Sequence, residues 1–186
     1  MANFTKQAIK LSFMKLLNDK PFNKISVRDI VEECGINRNS FYYHFSDIPT
    51  LTEEIIMEET NKLIDKYPTL DSLHPFIDEI YELCMMHKKA LLHIFNSVNR
   101  EMCETQMMRM CDVVVRKYAD TAFCDLPLDE RERYIGNQAV KNMLFGFCID
   151  WLSHDLDESY LPDLHRMCDL VYNILSHIDN IDDTKA

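Results

Sequence analysis

The stretch "SVRDIVEECGINRNSFYYHF", residues 26–45, decides how the start of this chain folds and which face it leaves to solvent. Val27, Ile30, Val31 and Cys34 recur at the three-to-four-residue spacing of one helix face. Ser26 stands where an N-cap belongs, Asp29 three residues on can return its hydrogen bond, and Ile25 can staple onto Ile30. The helix must stop at Gly35, the only glycine in the first 135 residues, because a left-handed helix end favours a residue without a Cβ. Asn37 then caps a second short helix, with Phe41 and Phe45 inward at i, i+4. Arg38 with Tyr42, and Asn39 with Tyr43, keep the same spacing and point the other way.

Two short helices joined by a glycine corner, the second exposing Arg, Asn, Ser and Tyr, are the parts of a helix-turn-helix. Phe41 and Phe45 would hold the second helix so that its outer face is rigid. Its N-terminus, with Asn37, Arg38 and Asn39, suits a major groove, where Arg bonds guanine edges and Asn adenine edges. Ser26, Ser40 and the hydroxyls of Tyr42 and Tyr43 suit phosphate oxygens, and Lys6 on the preceding helix is a further candidate.

Outward from this stretch the pattern stays helical. A first helix over about Thr5 to Asn18 carries Ile9, Phe13, Leu16 and Leu17 on one stripe, with Pro21 beyond its end. Ser46 or Asp47 can cap a helix that tolerates Pro49 in its first turn and runs to about Lys66, before Pro68. Further helices are expected over about 73–89, 91–96, 100–122, 130–153 and 161–178, with a loop at 123–128 and a frayed tail from 179. The run Met143 to Ile149 is apolar on every side, and Leu161, Leu164, Met167, Cys168, Val171, Ile174, Leu175 and Ile178 make a broad stripe. Two such final helices suggest a four-helix interface with a second copy, through Phe147, Trp151, Leu164, Val171 and Leu175.

Composition bounds the class. Three glycines and six prolines in 186 residues favour helices over sheets. The first twenty residues carry Lys6, Lys10, Lys15, Asp19 and Lys20, so no secretory apolar region is read there, and no apolar run approaches a membrane span. Seven cysteines without a C-x-x-C read as free thiols in a reducing cytoplasm. Charge divides unevenly. Residues 1–46 hold seven Lys or Arg against four Asp or Glu, whereas residues 47–186 hold thirteen against twenty-seven. A basic head on an acidic remainder suggests that only the head meets a polyanion.

With these residues in view, 26–45 resembles the helix-turn-helix signature of TetR-type transcriptional regulators, through Ser26, the Gly35 corner, Tyr42 and the His44–Phe45 pair. The resemblance spans about residues 5–60. It is diffuse beyond, although "NQAVKNMLFGFCIDWL" (137–152) resembles the penultimate dimer helix common in that family. The resemblance implies an all-α chain with a DNA-binding domain at 1–46 and a regulatory and dimerisation domain at 47–186, the helix 47–66 connecting them. It implies backbone contacts from Ser26 and Arg28, base and flanking phosphate contacts from Asn37 to Ser40, and phosphates or outer bases for Tyr42, Tyr43 and His44. One departure stands out. Where the family usually opens its fourth helix with lysine, this chain has Ile48 beside Asp47, so a phosphate contact is missing.

A regulator of this design needs a switch. Six methionines between 85 and 110, with aromatics nearby and later, suit an adaptable apolar pocket, with Met85, Met86, Phe95, Met107, Met110 and Phe145 as candidate lining. Cys84 with His87, and His165 with Cys168, are i, i+3 pairs that would complete a tetrahedral zinc site if their turns met; packing of both cysteines on apolar stripes is the reading preferred here. There is no glycine-rich phosphate loop, no G-x-S-x-G and no H-E-x-x-H, so no enzyme, cofactor or resident metal is expected. The expectation is a homodimeric repressor on a palindromic double-stranded operator, released by an unidentified small molecule. A protein-interaction module or coactivator with weakened DNA binding is the rival, since Ile48 and the acidity both allow it.

Overall fold

In the computed structural model Ser26 and Asp29 bond to each other in both directions, the Asp29 amide to Oγ at 3.2 Å and the Ser26 amide to Oδ2 at 2.7 Å. This capping box opens α2 (Val27–Cys34), which follows α1 (Ala2–Asp19). Gly35 ends α2 at φ 68°, ψ 31°, a left-handed corner with nothing within 4 Å of where a Cβ would stand, so the need for glycine is a backbone need. Asn37 caps α3 (Arg38–His44), its Oδ1 accepting from the Ser40 amide at 2.8 Å. Asp47 likewise accepts from the Thr50 amide at 2.7 Å and opens α4 (Ile48–Lys66). The all-α expectation holds among the described residues, which run 2–96, 100–122 and 128–176, with only the backbone described at 2, 3, 120–122, 172 and 174–176.

Five more helices follow: α5 (Leu73–Met86), α6 (Lys88–Phe95), α7 (Arg100–Ala122), α8 (Glu130–Ser153) and α9 (Tyr160–Ser176). Their bounds lie close to the sequence reading, with one difference. The helix expected over 73–89 stops at Met86, and His87 makes a single-residue break before α6. The break redirects the chain so that Ala90 and Ile94 join the core beneath α1. Two short 3-10 turns, Phe22–Lys24 and Leu70–Ser72, lie between the expected helices; the first sets Phe22 edge-on to Phe13, centroids 6.2 Å apart. Of the loop expected at 123–128 only Leu128 is described, and it is not helical; the rest, and the tail from 179, lie outside the described residues.

By packing the chain forms two units, residues 1–59 with 84–106, and residues 60–83 with 107–186. In the first, α1, α2, α3 and α6 close on Ile9, Phe13, Ile30, Phe41 and Leu51, each with no accessible surface. Phe41 and Phe45 sit 5.9 Å apart and pin α3 from within. In the second, Leu63, Ile64, Phe76, Ile77, Val114 and Tyr118 form the core, and α8 packs on α9. The link after α8 turns through Asp155 and Leu156, both at positive φ. Leu156 is nonetheless buried to 1% exposure, and the Trp151 indole N–H donates to the Asp157 carbonyl at 2.9 Å, so packing holds a backbone that its own residues disfavour.

Candidate nucleic-acid interface

The exposed edge of α3 is set by its buried edge. With Phe41 and Phe45 sealed inside, Arg38, Asn39, Tyr42 and Tyr43 project outward, the two tyrosines at 55% and 79% exposure. Among the described residues none of these four side chains has a hydrogen-bond or ion-pair partner. Tyr42 stands edge-on to Phe41, centroids 5.5 Å apart, and Tyr43 edge-on to His44 at 5.0 Å. Each ring is thus steadied from one side while its hydroxyl stays open. His44 is half-buried between Tyr43 and Phe45.

Other expected contacts carry prior commitments. Ser26 and Asn37 spend their acceptor oxygens on helix caps, and Ser40 Oγ donates to Asn37 Oδ1 at 3.1 Å. Hydrogen bonds from Ser26 and Lys20 hold the Asp29 carboxyl far below its usual range, which marks the box as fully charged. Arg28 pairs with Glu32 at 2.6 Å on an open surface, where such a pair is easily exchanged for another anion. Lys6 bonds Glu54 at 2.7 Å and lies over the Phe45 ring. Lys10 is buried between Glu54, at 2.5 Å, and Glu58. Burial pulls the Lys10 ammonium down, but the hydrogen bonds it donates to Glu54 and Glu58 together outweigh it and hold it above the ordinary lysine range. Glu54 is depressed in turn: burial pushes it up, and Lys10 and Lys6 more than reverse that.

The basic head is therefore less bare than its charge count suggests. Lys6, Lys10, Lys15, Lys20 and Arg28 are each paired to an acid, and among the described residues Lys24 and Arg38 are the cations of this segment without such a pair. Ile48, the departure from the resemblance, is half-buried against the core of this unit and carries no polar group to the surface.

The second unit holds a cavity of about 160 Å³. Phe76 and Ile77 of α5, Val114 and Val115 of α7, and Leu144 and Phe147 of α8 are among its walls. Its two polar aromatics are spoken for. Tyr118 donates to the Tyr67 carbonyl at 2.6 Å, burial pushing the phenol up to about 12, and Trp151 donates to Asp157. Of the six residues expected to line a pocket, Met110 does so. Met85, Met86 and Phe95 belong to the other unit, Met86 largely in solvent and Phe95 buried beneath the Arg100 guanidinium; Met107 and Phe145 are half-buried elsewhere. Conversely, Phe147, Trp151, Leu164 and Val171, expected at a dimer interface, line this cavity, and the Leu175 side chain lies outside the described residues. An apolar stripe says that residues face inward, not which inside they face.

His165 also has other partners than Cys168. Its Nε2 lies 2.8 Å from Asp78, its Nδ1 2.6 Å from Nδ1 of His74, and His74 Nε2 lies 2.9 Å from Asp169, while Cys168 lines the cavity. Cys84 and His87 belong to the other unit. Among the described residues no three His, Cys, Asp or Glu side chains form a group that could hold a metal ion, and no helix is long and apolar enough to cross a membrane.

Comparison with known proteins agrees with the geometry of the first unit. Residues 14–55 match the family of bacterial regulatory proteins, tetR family. An uncharacterised HTH-type transcriptional regulator of Haemophilus influenzae is 38% identical over 50 residues, 27% of this chain and 24% of that protein, so the match spans about a quarter of the relative's length. Among solved structures, the dihydroxyacetone kinase operon activator DhaS is alike with TM-score 0.71 at 16% identity, over 91% of this chain and 97% of its own. NalD, the secondary repressor of the MexAB-OprM multidrug efflux pump in Pseudomonas aeruginosa, is alike with TM-score 0.53 at 16% identity, over 95% and 97%. These two likenesses speak to fold alone. With its capping box, glycine corner and matched segment, the region 14–55 is similar to the helix-turn-helix of the tetR family of bacterial regulatory proteins.

Proposed function

We propose that this chain is a sequence-specific DNA-binding transcriptional repressor that acts as a homodimer on a palindromic operator in the cytoplasm. The observation that carries the reading is the edge of Arg38, Asn39, Tyr42 and Tyr43, fixed from behind by Phe41 and Phe45 and left without hydrogen-bond partners of its own. Residues 1–46 are the reading domain and 47–186 the regulatory and dimerisation domain. Arg38 and Asn39 meet base edges, and Asn37, through its amide, and Ser40 meet flanking groups. Tyr42, Tyr43, His44, Ser26 and Arg28 meet phosphates, Arg28 exchanging Glu32 for one. Lys6, tied to Glu54, is the weakest of these assignments. Two heads sit about one duplex turn apart, roughly 34–36 Å.

A stripe of Ile135, Ala139, Met143 and Gly146 on α8, all exposed, with exposed Leu170 on α9, is the surface we assign to the second copy. It replaces Phe147, Trp151, Leu164 and Val171, which turn into the cavity, while Met143 borders both. The cavity takes the effector, whose binding favours a dimer that docks poorly. Repression is the sign we assign because a reader released by ligand acts through occupancy alone. An electrophoretic shift against a selected operator at several salt concentrations tests the core of this. The reading requires a steep salt slope and, for Arg38→Ala, about a tenfold or greater loss with relaxed sequence preference. No shift at any physiological salt sinks it in favour of a protein-interaction module, the reading that Ile48 and the paired lysines favour.

A further inference from the structure

Apart from the committed polar groups of Tyr118 and Trp151, the cavity wall is hydrocarbon except at its sulfurs, and three of these are thiols from three helices: Cys111 of α7, Cys148 of α8 and Cys168 of α9. Val115 and Ala119 of α7 pack against Val140 and Leu144 of α8, and Cys111 and Cys148 lie one turn further along those two helices on the same cavity wall, so the two thiols face each other. Cys111 lines the cavity with no accessible surface of its own, so a reagent reaches it from the cavity and by a small movement of the walls.

We propose that Cys111 and Cys148 form a redox modification site inside the cavity, closed to a single disulfide by an organic hydroperoxide with an uncharged, apolar body. The partner for an apolar wall is an apolar reagent, since a charged or strongly hydrated one loses its water with nothing to replace it. The chemistry balances. The Cys111 sulfur attacks the outer peroxide oxygen, the O–O bond breaks, and the alcohol leaves with a proton, giving a sulfenic acid. The Cys148 sulfur then attacks the Cys111 sulfur, the S–O bond breaks, and water departs with the remaining proton. Two thiols are oxidised by two electrons and one hydroperoxide is reduced to an alcohol and water.

The order of attack follows from the surroundings. The neighbouring Cys148 thiol favours the Cys111 thiolate and outweighs burial, and the Lys141 charge adds to it, so Cys111 is held below the ordinary thiol range. Other thiols are held back: burial pushes Cys168 and Cys103 up to about 11 and Cys84 up to about 12. Oxidation must draw the sulfurs to about 2.05 Å, and the void beside them gives the helices room to close. The crosslink ties α7 to α8 in the effector cavity. That regulatory consequence rests on the cavity being the effector site; the oxidation itself does not.

The test treats the whole reduced protein with equal concentrations of cumene hydroperoxide or hydrogen peroxide, followed by intact mass and peptide mapping. The expected result is loss of two hydrogens with a Cys111–Cys148 linked peptide, formed about tenfold or more faster with cumene hydroperoxide. It is reversed by dithiothreitol and absent in Cys148→Ser. Cys111→Ala serves as a second variant, circular dichroism confirming its fold. Equal rates with both peroxides, a different pairing, or oxidation without a linked peptide each overturn the proposal. Uptake of the uncharged dye N-phenyl-1-naphthylamine, read in parallel, separates the two readings. Dye binding without a disulfide sinks the thiol site alone, whereas a disulfide without dye binding supports the thiol site and removes the effector reading.

Discussion

The two packing units spend the same kind of side chain in opposite ways. In the head, Ile9, Phe13, Ile30, Phe41 and Leu51 are sealed completely. In the other unit Phe76, Ile77, Val114 and Tyr118 keep a little exposure and line a void of about 160 Å³. A reading edge has to present donors at fixed positions, and fixed positions require a core without slack. A cavity that accepts a ligand requires the reverse, apolar walls that stop short of meeting. The lesson is that tightness here follows the task of each unit, not the richness of its sequence in apolar residues.

The sharpest way to break this comparison is to empty the tight core. Phe41→Ala should cost about 3–5 kcal/mol in urea unfolding of the head. A loss near zero means that the head already had room. Enlargement should discriminate in sign. Ile30→Phe should destabilise by about 1–3 kcal/mol through overpacking, whereas Val114→Ile, facing the void, should be neutral or stabilise by about 0.5–1 kcal/mol and weaken dye uptake. If both destabilise alike in thermal unfolding, the void is not available space. Gly35→Ala should cost about 1–2 kcal/mol from the left-handed backbone alone, because nothing stands near a new Cβ.

The smallest effect is electrostatic and belongs to the head. Glu54 is depressed in the folded state, so its contribution is present above the unfolded carboxylate value near 4.5 and fades as pH falls through the lower folded value. Lys10 is raised, so its share is present below about 10.5 and fades as pH rises through the higher folded value. Stability should therefore be level across neutral pH with an acid and an alkaline limb. Glu54→Gln should flatten the acid limb in a pH series followed by circular dichroism. An acid limb unchanged in that variant assigns it to other groups, with Asp29, also depressed, the first of them.

Much of the head was legible because its signals are local. Ser26 with Asp29, Gly35, and Asn37 with Ser40 lie within three residues or at one corner, and the structure uses each as read. The pairing of Lys6 and Lys10 with Glu54 was not legible, since nothing in residues 1–46 reveals an acidic face on α4. In the other unit the helix spans were close, but the use of their faces was not. Met143 to Ile149 and the stripe on α9 announced burial, and Phe147, Leu164 and Val171 turned out to face a cavity within the chain. His165 likewise chose His74 and Asp78, 91 and 87 residues away, over its neighbour Cys168.

By itself, the sequence determined the helices, their caps, the glycine corner and the outward edge of α3, because those depend on hydrogen bonds and periodicities that close within a turn or two of chain. Only the tertiary structure decided which cations stay free, which apolar faces enclose a void, and that Cys111 meets Cys148. Those outcomes depend on which distant helices are brought side by side, and a periodic pattern shows that a face is covered without saying by what.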